Sequence, residues 1–118
     1  METGLLVATF ACIAINAFEV VAKVARARFV VQNSAEVGVR QRWLPYLAAL
    51  EGAGVVGLIV GLLGWPGLGL AAAIGLTLFF VGAVGAHVRA KVFHNIAFPA
   101  VFLALAVAAA GYFTGSVA

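Results

Sequence analysis

Two glutamates carry the most informative chemistry in a chain that has almost no charge. Glu19 and Glu51 are two of only four acidic residues, and both lie inside long apolar runs. Counted from the basic ends of those runs, each sits roughly six residues deep, or ~9 Å by helical rise, so the two share a layer. A carboxylate at that depth is costly unless it is paired, solvated or protonated, and such residues face a bundle interior or a watery cavity. The chemistry they offer is acid–base: two carboxyl groups able to give or take a proton near neutral pH. A plainer alternative is that each is simply held by a neighbour. Glu19 has Lys23 one helical turn later, an ordinary i,i+4 pair, whereas Glu51 has no cation one turn away.

The spacing around these residues defines faces. Asn16, Glu19, Lys23 and Arg26 recur at intervals of three, four and three, a single stripe that should face partner helices. Glu51, Gly54, Leu58 and Gly61 follow the same rhythm, and Gly57 with Gly61 forms a small-xxx-small pair whose ordinary purpose is close helix packing. Phe80, Ala83 and His87 share a face, with Lys91 one turn further on. His87 is either a proton relay or a solvated interfacial histidine beside Arg89. His94 and Asn95 belong to a loop and could contribute a lid.

These faces predict a cavity in which Asn16, Glu19, Glu51, His87 and Gln32 gather towards one half of the bundle, flanked by Phe18, Phe79, Phe80 and Phe102. Such a cavity suits an apolar, lipid-like ligand that meets a few polar groups. The expected catalytic set is Glu19, Glu51 and His87. The expected ligand-binding set is Asn16, Phe18, Gly54, Phe80, Ala83 and Phe102. No cofactor is expected, and no metal, because the spacing of His and Glu matches no metal motif. The chain has no aspartate and a single cysteine, Cys12, so neither a Ser-His-Asp system nor an intrachain disulfide can be built, and no Gly-rich phosphate loop is present.

The elements that must position these residues follow from composition. Of 118 residues, 65% are hydrophobic and 9% charged, too little charge to wet the outside of a soluble domain. An all-α membrane four-helix bundle accounts for the whole length, as one domain (1–118) with spans at about 4–25, 45–63, 68–88 and 96–114. The run from Leu5 to Ala22 has no basic region before it and is longer than the apolar core of a signal peptide, so it reads as a retained helix. Segment 27–43 reads as interfacial, with a short helical turn capped by Asn33 and Glu36 and stopped at Gly38.

All seven Lys and Arg lie between spans one and two or between spans three and four, which predicts that both connections are cytoplasmic and both termini outside. Trp43 and Tyr46 at one boundary, and Trp65 and Tyr112 at the other, fit the interfacial aromatic belt. The basic residues form no continuous patch that could track nucleic acid, so lipid headgroups are the expected charged partner. A homo-oligomer or a membrane-protein partner stays open.

The chain also resembles the DoxX-like family of small four-helix bacterial membrane proteins. The resemblance rests on Trp43-Leu44-Pro45 leading into Leu50-Glu51-Gly52-Ala53-Gly54, on Phe79-Phe80-Val81-Gly82-Ala83 followed by Ala86-His87-Val88-Arg89, and on Asn95-Ile96-Ala97-Phe98-Pro99. It implies a multi-pass protein of the bacterial inner membrane. The family name comes from a subunit of a thiosulfate–quinone oxidoreductase, and related proteins are described as redox-associated or accessory. Three functions therefore compete. One is an acid–base enzyme acting on an isoprenoid or sterol-like lipid by isomerisation or protonation-started cyclisation, for which small bacterial membrane terpene cyclases offer an analogy. The second is a non-catalytic subunit of a membrane redox complex. The third is a small proton-coupled exporter, disfavoured because the one-sided basic residues forbid a dual topology.

Overall fold

A computed structural model describes residues 2–117, and among these every regular element is helical. In chain order they are α1 (Glu2–Val24), α2 (Arg28–Glu36), a 3-10 turn at Gln41–Trp43, α3 (Leu44–Leu62), α4 (Pro66–Arg89) and α5 (Ala97–Val117). The four long helices are apolar and long enough to cross a bilayer, so the chain is a multi-pass membrane bundle. They form a ring in which α1 and α4 each pack against both α3 and α5, leaving α1 and α4 on opposite walls.

Helix ends on the basic side share one device. After α1, Arg26 takes the left-handed conformation (φ 52°), its N–H donating to the Lys23 carbonyl while Ala27 N–H reaches back to Ala22. After α4, Lys91 (φ 58°) does the same, with N–H groups of Lys91 and Val92 donating to Val88 and His87. Gly38 (φ 81°) closes α2 with the equivalent pair, Gly38 to Ala35 and Val39 to Ser34. These are Schellman caps. Placing a cation rather than glycine at two of them costs some backbone strain, offset by the favourable position of positive charge at a helix C-terminus.

Two expectations need correction. Asn33 and Glu36 do not cap a turn: α2 starts at Arg28, after an Ala27 that makes no side-chain cap, and contains both residues. Their side chains are instead used between segments, as described below. The third span starts at Pro66 rather than 68, because a proline in the first turn loses no intrahelical hydrogen bond.

Packing is tightest in the half away from the basic loops. There Cys12, Leu58, Ala73, Leu76, Ala106, Ala109 and Phe113 are buried together. The α3–α4 contact is a backbone contact: a Cβ placed on Gly61 would meet Gly69 Cα at 2.5 Å, and one placed on Gly57 would meet Ala72 Cβ at 2.5 Å. The Phe113 ring from α5 closes over the same spot, 2.5 Å from a Cβ placed on Gly69. Gly54 belongs to this seam as well, packed on Leu76.

The glycines divide by this criterion, which supplies a test. Gly61→Ala is expected to destabilise the bundle by about 1–3 kcal/mol through overpacking. Gly75→Ala, on the same seam's partner helix but with open space around it, is expected to be neutral or stabilising by up to about 1 kcal/mol from helix propensity. Thermal unfolding in a fixed detergent distinguishes the two.

Candidate functional site

The half of the bundle nearer the basic loops is organised around Lys23. Its ammonium donates to Glu51 Oε1 at 2.7 Å and to Glu19 Oε2 at 3.3 Å. The Glu19 contact is the local i,i+4 pair, but the shorter one crosses from α1 to α3. Glu51 is therefore paired after all, by a cation from another helix. Its side chain is fully buried, whereas those of Lys23 and Glu19 keep 13% and 21% exposure. Two carboxyl groups share one ammonium, and Glu51 Oε2 has no partner among the described residues.

Beside this triad lies a cavity of about 340 Å³, within the size range of small-ligand sites. Its lining is mostly apolar, with Phe79, Phe80, Phe98 and Phe102 prominent. Phe80 forms the centre of an aromatic cluster, its ring 5.0 Å from that of Phe79 and 5.2 Å from that of Phe102. Glu19 and Lys23 enter from α1, and His87 faces them from α4. His87 is buried and its Nδ1 lies 2.9 Å from the Ala83 carbonyl oxygen. A carbonyl only accepts, so Nδ1 carries a proton and donates, and Nε2 is the ring atom left to exchange a proton with a ligand.

The roof is α2. Val30, Asn33, Ser34 and Val37, one face at helical spacing, line the cavity together with Val39. Asn95 Nδ2, from the loop before α5, donates to Asn33 Oδ1 at 3.1 Å. Next to it His94 Nε2 and Glu36 Oε2 are 2.6 Å apart. The loop and α2 are thus joined beside the cavity.

Of the expected site residues, Glu19, His87, Phe80, Ala83 and Phe102 line the cavity. Glu51 does not: it stands behind Lys23 and reaches the cavity only through it. Asn16 is fully buried elsewhere, its Nδ2 donating to the Cys12 carbonyl oxygen at 2.8 Å and lying 3.4 Å from Cys12 Sγ. Gly54 packs on Leu76 rather than on the cavity, and Phe18 is exposed, stacked on Phe29 at 6.1 Å. Gln32 is exposed, and its neighbour Asn33 takes the inward place. Lys23, Asn33, Ser34 and Asn95 were missing from the expected site. The signal for the first was its position on the Asn16–Glu19 stripe, and for Asn33 and Ser34 the spacing from Val30 to Val37. Among the described residues no three His, Cys, Asp or Glu side chains group as metal ligands would.

The family model described as the DoxX-like family matches residues 7–109, a stretch that contains every residue of this site. No curated protein and no solved structure matches the chain.

The triad makes a sharp energetic statement. Lys23→Met strands a buried carboxylate and is expected to cost roughly 3–5 kcal/mol of stability. Adding Glu51→Gln to the same chain should recover most of that loss, whereas Glu19→Gln should recover little. Unfolding midpoints of the single and double variants measure the coupling.

Proposed function

The chain belongs to the DoxX-like family, and on that premise we propose that it is a membrane-embedded acid–base protein that takes an isoprenoid or sterol-like lipid into the cavity beneath α2. The observation that carries this reading is the placing of proton-active groups on opposite walls of an apolar cavity, Glu19 and Lys23 on α1 and His87 on α4. A double-bond isomerisation requires a proton to be delivered to one carbon and another removed nearby, without net redox change. On opposite walls, His87 Nε2 would deliver one proton and the Glu19 carboxylate would take up the other. Cyclisation started by a carboxylic acid is less well served, because Glu19 and Glu51 both accept from Lys23.

In this reading Glu51 is a positioning residue. It fixes the Lys23 ammonium, which in turn orients Glu19. The basic loops lie on the cytoplasmic face of a bacterial inner membrane, and both termini lie outside. A second reading, an accessory subunit of a membrane redox complex, is favoured by the family itself, and it requires a stoichiometric partner in the purified material.

Three outcomes are expected. Lipids extracted from the purified protein should include an isoprenoid or sterol-like species. In D₂O that species should gain deuterium at allylic carbon, read by mass spectrometry, at a rate reduced about 10²–10⁴-fold by Glu19→Gln or His87→Ala in protein that remains folded. Unchanged exchange in both variants would refute the acid–base role. A phosphatase fused to the C-terminus, active only outside the cytoplasm, should be active.

A further inference from the structure

The Asn33–Asn95 pair brings unpaired hydrogen-bonding groups to the wall of the cavity. Asn95 is 8% exposed, its Nδ2 is engaged with Asn33 Oδ1, and its Oδ1 is buried with no partner among the described residues. Both amides line the cavity. Whichever way the two amides are turned, one hydrogen bond between them uses one N–H and one carbonyl oxygen, leaving three N–H groups and the other carbonyl oxygen. Ser34, next to Asn33 on α2, adds a hydroxyl to the same lining.

We propose that the Asn33–Asn95 pair is a binding site for a neutral lipid hydroxyl, as in a long-chain or polycyclic alcohol, with its apolar body running past Glu19 and His87 towards Phe80 and Phe102. This rests on the cavity being a lipid site, as argued above. With the Asn95 side chain turned so that Oδ1 meets the cavity, a hydroxyl donates to it and accepts from a free amide N–H, so one atom serves both groups. A hydrocarbon leaves the buried oxygen unpaired. A carboxylate cannot donate to that oxygen.

The test uses three probes with the same carbon skeleton: farnesol, farnesoic acid at pH 8, and farnesene. Each is equilibrated with the full chain in nanodiscs, and occupancy is read by native mass spectrometry after correction for partition into protein-free nanodiscs. Farnesol should bind about tenfold tighter than either of the others, the preference expected from one buried hydrogen-bond partner. Asn95→Leu should remove that preference while farnesene binding persists, and Asn33→Ala provides a milder second variant should Asn95→Leu fail to insert.

Equal binding of the three probes, or tightest binding of the carboxylate, would overturn the hydroxyl site while leaving a lipid cavity intact. If none of the three binds, the cavity reading falls, and the hydroxyl site with it.

Discussion

Burying a carboxylate within the apolar part of a membrane bundle imposes a condition that the rest of this structure has to meet. Glu51 is fully buried on α3, and a charge in that position is tolerated only with a partner of opposite sign and good geometry. Lys23 supplies it from α1 at 2.7 Å. The pair fixes how α1 and α3 slide along each other, because moving either helix by one turn, ~5.4 Å, would separate the two groups. Glu19 then shares the same ammonium, so the cavity wall inherits its charge from a contact made behind it.

The two halves of the bundle answer to different constraints. Away from the basic loops, Gly57, Gly61 and Gly69 bring α3 and α4 into backbone contact and Phe113 fills the remaining space. Nearer the loops α4 lines the cavity with the small residues Gly82, Ala83 and Ala86, and α2 lies over the gap they leave. Phe80 and Phe102 mark the boundary between the two regimes, touching the packed core on one side and the cavity on the other. Rigid packing in one half holds α1 and α4 apart in the other, which keeps Glu19 and His87 on opposite walls.

Local spacing was the part of this arrangement that the sequence made legible. The four long helices follow from apolar run lengths, and the inward stripe of Asn16, Glu19 and Lys23 follows from helical periodicity, as does the Glu19–Lys23 pair. Contacts between helices were not legible in the same way. Nothing in the residues near Glu51 says that its cation arrives from 28 positions earlier in the chain. Phe18 and Gly54 have residue types suited to a binding site, yet rotation about the helix axis places one towards lipid and the other against Leu76. Gln32 and Asn33 differ by one position, about 100° of helical rotation, and that decides which of the two polar side chains turns inward. Asn95 reads as a loop residue because a loop carries no periodicity from which burial could be inferred.

The roof of the cavity is also its most weakly anchored part. Its apolar anchorage is a small cluster in which Val30 packs with Ala22 and Leu44, together with the Phe29 ring stacked on Phe18. The polar ties from α2 to the loop before α5 are the Asn33–Asn95 hydrogen bond and the exposed Glu36–His94 contact. A hydrogen bond of that kind contributes about 0.5–1.5 kcal/mol net, and an exposed pair typically less than 1. The four long helices are held by far more extensive burial, so local opening would begin at α2, ahead of any separation of the bundle. A group that joined Asn33 to Asn95 from inside would add to the few ties holding this roof, so that occupying the cavity and closing it would be the same event.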